Sequence, residues 1–175
     1  MKVNRYHTVC FSGYRPSKFS FSLDDKDGAE YKRLQAGIND AVIEALELGY
    51  TAFMCGMAQG FDLLCALAVI EIRKRKEYRD TQLIAVLPYG NHGFRGKWGE
   101  SHRVIKQEAD QEIIITQNEY SPNSYRLRNT YMVENSSHII CYWDGKGGGT
   151  AQTVRMAKKQ GLTVHNVYNE NSPNC

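Results

Sequence analysis

The run YWDGKGGGTAQT, residues 142–153, places four glycines in five positions between an apolar stretch and a segment of helical character. Bare backbone N–H groups at the start of a helix hold anionic oxygen, above all phosphate, and this is the chemistry the run is equipped for. SGYR (12–15) and CGMAQGFD (55–62) have the same placement, after an apolar strand and before a helix. Each piece also has a plainer use. A lone glycine there serves a tight turn, Thr150 is a good N-cap, and Asp62 favours a helix N-terminus through the macrodipole. Consecutive glycines, however, cost backbone entropy on folding, so a turn alone accounts poorly for Gly147, Gly148 and Gly149. In the functional reading the Thr150 hydroxyl faces a phosphate oxygen and Asp62 accepts ribose hydroxyls.

Basic and aromatic residues complete the candidate set. Arg15, Arg126 and Arg128 can fork onto phosphate, although solvated surface is the common fate of such side chains. Tyr14, Tyr89, Phe94, Trp98, Tyr142 and Trp143 fall at or just beyond expected strand ends, where one or two can stack a base while the others pack. The loop PYGNHGFRGKW (88–98) is the base-side candidate, because Pro88 ends its strand and two glycines let the chain turn toward the pocket. The basic run RKRKEYR (73–79) sits at an expected helix C-terminus, where the dipole alone explains it. No metal is expected: the five histidines show no HxxxH spacing, and the five cysteines form no CxxC pair. Cys10, Cys55, Cys65 and Cys141 read as small buried hydrophobes.

These residues need a frame to hold them. Short β-rich runs at 6–13, 51–56, 82–88, 112–116, 137–143 and 162–167 alternate with segments of helical period. That alternation predicts an α/β fold, a single Rossmann-like domain with a mainly parallel sheet of about six strands and helices on both faces. Leu34, Ile38, Ala41, Val42, Ala45 and Leu46 recur at helical spacing, and Gly49 and Gly161 stand where glycines end helices. In such a sheet the three glycine turns share one edge and build one pocket. The domain spans 1–168, followed by a polar tail, 169–175, expected to fray. The loop at 14–28 is either a lid or an ordered wall of the site.

At 175 residues, 42% hydrophobic and 23% charged, the chain has the make-up of an ordinary globular domain. Its net charge of +3 is too small to announce a nucleic-acid binder. The first residues lack the apolar core of a signal peptide and no run approaches a membrane span, so a cytoplasmic location without membrane attachment is expected.

In order along the chain, SGYR, CGMAQGFDLLCA and GGTAQTVRMAKKQGLTV resemble three segments of the Smf-type DNA-processing family, whose patterns run G-[ST]-R, S-G-x-A-x-G-[IV]-D-x-x-A-H and S-G-[ST]-x-x-T-A-x-x-A-x-x-x-G-R. Gly13 and Arg15 fit the first. Gly56, Ala58, Gly60 and Asp62 fit the second around Met57, with Cys65 and Ala66 where that family has Ala-His; Gly149, Thr150, Thr153, Ala157 and Gly161 fit the third. The chain thereby resembles the SLOG superfamily, which joins Smf proteins to LOG-type phosphoribohydrolases, and is most similar to its YpsA-like branch. The resemblance implies a Rossmann-like fold that binds nucleotides or their derivatives. Against the LOG pattern P-G-G-x-G-T-x-x-E, Gly147, Gly149 and Thr150 match, whereas Thr153 replaces the catalytic Glu. The second LOG signature, R-K-x-x-M, is met in RNTYM by Arg128 and Met132, with Asn129 in place of Lys.

Three function classes follow. The leading one is a non-catalytic sensor or regulatory module for a nucleotide-derived ligand, with no cofactor required and a homo-oligomer, a dimer first, as a possible assembly. The second is an N-glycosidic hydrolase of nucleoside monophosphates, disfavoured by Thr153 but open to Asp62 or Glu100 as substitutes. The third is Smf-type binding of single-stranded nucleic acid, disfavoured by the net charge. The expected ligand-binding residues are Gly13, Tyr14, Arg15, Gly56, Met57, Ala58, Gly60, Asp62, Pro88, Tyr89, Arg128, Asn129, Asp144, Gly147, Gly148, Gly149 and Thr150. Glycines contact backbone-accessible oxygen only, so they specify neither the base nor the number of phosphates.

Overall fold

The computed structural model describes residues 3–117 and 120–170. Six strands form one sheet: β1 (Thr8–Ser12), β2 (Ala52–Cys55), β3 (Gln82–Tyr89), β4 (Gln111–Thr116), β5 (His138–Cys141) and β6 (Thr163–Asn166). All neighbouring pairs are parallel, in the order β4-β3-β2-β1-β5-β6. Each expected strand is present: β1, β2, β5 and β6 are shorter by one or two residues at each end, and β3 and β4 are each longer by one residue.

The crossovers are α1 (Ala29–Glu47), α2 (Phe61–Ile72), α3 (Gly96–Glu108), α4 (Ser124–Glu134) and α5 (Gly149–Lys159), and a short α6 (Val167–Glu170) follows β6. Alternating side chains split the core into two layers, as a pleated strand requires. Val9, Phe11, Phe53, Leu83 and Leu87 pack toward α1, α2 and α3, whereas Cys10, Met54, Ile84, Val86 and Ile139 pack toward α4 and α5. The helix α2 is apolar around most of its circumference because the sheet, α1 and α3 all cover it. Gly49 and Gly161 end α1 and α5 with φ of +91° and +77°, the left-handed conformation that favours glycine. Cys10, Cys55, Cys65 and Cys141 are buried thiols. Residues 171–175, Cys175 among them, lie outside the described residues, and so does the expectation of fraying there.

The 14–28 segment is a wall. Phe19 stacks on Tyr142 with ring centroids 4.8 Å apart and meets Phe21 edge-on, and Leu23 is buried. Among the described residues no helix is long and apolar enough to cross a membrane.

The strand order fixes where a ligand site belongs. From β1 the chain proceeds outward through β2, β3 and β4, then returns to the other side of β1 for β5 and β6. The crossovers diverge between β1 and β5, leaving a crevice beyond their C-terminal ends.

Candidate ligand site

A cavity of about 210 Å3 opens at that crevice. Its walls come from four places. The turn after β1 contributes Ser12, Gly13, Tyr14, Arg15, Ser17 and Lys18; the turn after β2 contributes Ala58 and Asp62; α4 contributes Tyr125, Arg128 and Asn129; the start of α5 contributes Gly149 and Thr150.

The first intrahelical bond at the start of α5 runs from the Gln152 N–H to the Gly148 carbonyl. The N–H groups of Gly149, Thr150 and Ala151 therefore precede the helical ladder, at the positive end of the α5 dipole. The Thr150 hydroxyl does not face the cavity as a donor: it donates to the Gly13 carbonyl at 3.1 Å, fastening α5 to the turn after β1.

Three cations line the cavity against one carboxylate. Arg128 is 4% exposed; its Nε donates to Asn129 Oδ1 at 2.8 Å, and its Nη1, shut off from solvent, has no hydrogen-bond partner among the described residues. Asp62 is 5% exposed in the first turn of α2. Burial pushes its carboxyl up to about 6, against the opposing pull of Arg128, of hydrogen bonds from the Gly13 and Ala58 backbones, and of Arg15. Burial also lowers the Arg128 pKa, an effect its carboxylate neighbour opposes.

The glycines around this pair serve close approach as well as turning. A Cβ at Gly56 would stand 2.6 Å from Arg128 Nη1 and 2.8 Å from Asp62 Oδ2, so only glycine admits both groups at the end of β2. At Gly13 a Cβ would fall 2.4 Å from the Phe61 ring, and at Gly60, with φ of +90°, 2.5 Å from the Tyr14 carbonyl. Around Gly149, by contrast, a Cβ meets nothing within 4 Å.

A match to the YspA SLOG family model (YpsA) runs over residues 9–169, from β1 to α6. The chain belongs to this SLOG family. It is 26% identical over 157 residues, 87% of its own length and 83% of theirs, to the UPF0398 proteins of Bacillus thuringiensis (strain Al Hakam) and Bacillus cereus (strain Q1). In fold it is similar to DNA processing protein A (DprA) from Streptococcus pneumoniae, with a TM-score of 0.53 and 19% identity over 91% of this chain. The chain spans 49% of that protein's length. Within the SLOG family the matched segment contains every residue of the cavity.

Of the sequence-derived candidates, Gly13, Tyr14, Arg15, Ala58, Asp62, Arg128, Asn129, Gly149 and Thr150 line the cavity. Gly56 and Gly60 stand directly behind its walls, and Gly148, with φ of +129°, starts α5. Met57 sends its side chain into the core and holds a left-handed backbone, φ +58°. Asp144 accepts a short hydrogen bond from the Tyr14 hydroxyl and one from the Lys146 N–H, so it clamps the turn after β5 onto the turn after β1. The Tyr14 bond, then the Lys146 N–H, hold its carboxyl below the usual range. Pro88 is buried in β3, and its carbonyl accepts from Thr116 Oγ1. Tyr89 touches the cavity only through Tyr125, and Gly147 lies apart from the lining. Arg126 and Glu100 are exposed and not in the lining.

The sequence reading missed Ser12, Ser17, Lys18 and Tyr125. Ser12 ends a strand, Ser17 and Lys18 lie in a loop without a phosphate-binding pattern, and Tyr125 occupies a helix. The signal for Tyr125 was its position three residues before Arg128, which puts both on one helical face.

Proposed function

We propose that the cavity binds the phosphate-bearing part of a nucleotide or nucleotide-derived ligand and that the protein acts as a non-catalytic sensor. One observation carries this reading: Arg15, Lys18 and the buried Arg128 converge on the cavity at the topological switch point, alongside the N–H groups that precede the α5 ladder. Phosphate is the anion that guanidinium forks and helix N-terminal N–H groups hold best. Arg15 and Lys18 add charge, and the Asp62 carboxylate suits sugar hydroxyls.

A second reading, hydrolysis of an N-glycosidic bond, has one observation in its favour. An Asp62 carboxyl titrating near 6 suits a general acid or base. Glycosidic cleavage ordinarily employs two carboxyl groups, and among the described residues Asp62 is the one carboxylate in the lining. Thr153 is 3% exposed, and its hydroxyl donates to the Gly149 carbonyl at 3.1 Å and accepts from Asn129 Nδ2 at 2.9 Å. It offers nothing to a developing oxocarbenium ion.

Calorimetric titration with AMP, NAD and ADP-ribose tests the binding reading, with Gly149→Val as the probe. Because a Cβ there meets open space, the variant should fold as wild type does, yet its side chain stands where ligand oxygen must approach the α5 N–H groups. Loss of measurable binding with an unchanged far-ultraviolet spectrum is the expected result. Equal affinity of variant and wild type would show that the glycine run serves only as a turn. Free base released at roughly 1 per second or faster from any of the three ligands would favour the hydrolase instead.

A further inference from the structure

At about 210 Å3 the cavity is smaller than the roughly 300 Å3 at which sites enclosing a drug-sized ligand begin. It has room for a phosphorylated sugar, and a base attached to that sugar must lie outside. What lies outside is aromatic. Tyr125, in the cavity wall, forms a triangle with Tyr89 and Tyr120, with ring centroids 6.2 Å (Tyr89–Tyr125), 6.1 Å (Tyr120–Tyr125) and 6.0 Å (Tyr89–Tyr120) apart. The Arg15 guanidinium stands 5.3 Å from the Tyr125 ring centre, so the cation at the cavity mouth and the aromatic triangle are continuous. Tyr120 is 61% exposed, while Tyr89 and Tyr125 are half-buried.

The triangle is held from below by His92, whose ring packs edge-on against Tyr89 at 5.3 Å and Tyr125 at 6.0 Å. His92 is itself buried, with Nδ1 3.3 Å from His102 Nε2, so its imidazole supports the tyrosines and does not reach a ligand. An isolated exposed aromatic needs no explanation. Here Tyr89 and Tyr125 meet Tyr120 at interplanar angles of 80° and 56°, so they brace its exposed ring beside the basic cavity, where its face suits a base.

We propose that the exposed ring of Tyr120, braced by Tyr89 and Tyr125, forms a stacking platform for the base of the nucleotide whose phosphate enters the cavity, and that this platform selects by ring area rather than by base identity. The inference rests on the phosphate-binding reading of the cavity. Ring faces accept any base, because every base has a π-face, and affinity then follows stacking area. Purine nucleotides should bind more tightly than pyrimidine nucleotides, with little distinction between adenine and guanine.

The test is calorimetric titration of the full chain with ribose 5-phosphate, AMP, GMP, CMP and UMP, on wild type, Tyr120→Ala and Tyr120→Trp. AMP and GMP should bind within about threefold of each other, and ribose 5-phosphate at least about fivefold more weakly than AMP, as expected for one stacking contact. Tyr120→Ala should weaken AMP by about fivefold and leave ribose 5-phosphate unchanged, and Tyr120→Trp should retain AMP affinity. Since Tyr120 is mostly exposed, both variants should fold. Equal affinity for AMP and ribose 5-phosphate would overturn the platform while leaving the phosphate site intact, and so would an unaltered AMP affinity in Tyr120→Ala. A preference above about tenfold for one purine would replace ring-face selection with edge reading. Failure of all five ligands to bind would overturn the platform together with the cavity reading beneath it.

Discussion

Asp62 and Arg128 face a problem that neither solves alone. Both are nearly excluded from water, and the carboxyl is held at about 6 because burial outweighs the attraction of the guanidinium. The linkage sign follows from that direction. A group with a folded pKa above its unfolded value near 3.8 binds its proton more tightly in the native state, so its contribution is fully present below pH 3.8 and is lost as pH rises through about 6. The loss amounts to about 3 kcal/mol across that window, at about 1.4 kcal/mol per pH unit. Urea unfolding at pH 4 and pH 7 should therefore show wild type losing about 2 kcal/mol relative to Asp62→Asn, which has the same shape and no titration. Parallel pH dependence of the two proteins would mean that Asp62 is solvated in the native state. The glycines make a second residue-scale contrast. Gly13→Ala pushes a methyl into the Phe61 ring and should cost about 2–3 kcal/mol in urea melts, whereas Gly149→Ala, with space around it, should change stability by less than about 1 kcal/mol. A Gly13→Ala protein as stable as wild type would contradict the packing described for the turn after β1.

At the scale of elements, α4 and α5 are joined by Thr153, whose hydroxyl bridges Asn129 on α4 and the Gly149 carbonyl on its own helix. The bridge fixes the residue beside Arg128, and with it the arginine's Nε through Asn129 Oδ1. Restoring a glutamate with Thr153→Glu should therefore not create a hydrolase. It would place a carboxylate in a 3% exposed position, cut the bridge, and lower stability by roughly 3 kcal/mol or more without detectable release of adenine from AMP. Adenine release by that variant would place the side chain in the cavity and contradict the geometry. The elements themselves were legible because strand runs and helical spacing are local signals: all six strands and the helix-ending glycines Gly49 and Gly161 stand where the pattern puts them. Nine of the thirteen lining residues were legible as well, and seven of them, Gly13, Tyr14, Arg15, Ala58, Asp62, Gly149 and Thr150, lie between a strand and its following helix or in that helix's first turn. What escaped depends on contact across the fold. Nothing local shows that Gly56 is a glycine for the sake of Arg128, that Asp144 is taken up by Tyr14, or that Tyr125 joins the wall.

For the molecule as a whole, the decisive feature is that the cavity draws on both halves of the sheet. The wings β2-β3-β4 and β5-β6 meet at β1, and the lining comes from the turns after β1 and β2 and from α4, which packs on β3 and β4, on one side, and from the start of α5 on the other. Direct bonds already cross this seam: Thr150 to Gly13, and Tyr14 to Asp144. A ligand that pairs with Arg128 and the α5 N–H groups while Asp62 accepts from its sugar adds further bonds across the same seam. It should therefore stabilise the domain as one cooperative unit. At a free concentration of 100 times Kd, binding confined to the native state contributes about 2.7 kcal/mol. For a chain of 175 residues that corresponds to a rise in Tm of about 5–10 °C, with a single transition retained. Scanning calorimetry with AMP checks this, using Arg128→Met to remove the pairing group while keeping apolar bulk, and the variant should show a rise of less than about 2 °C at the same concentration. Two resolved transitions, of which AMP shifts one alone, would mean that the wings unfold separately and that the ligand touches a single side of the seam.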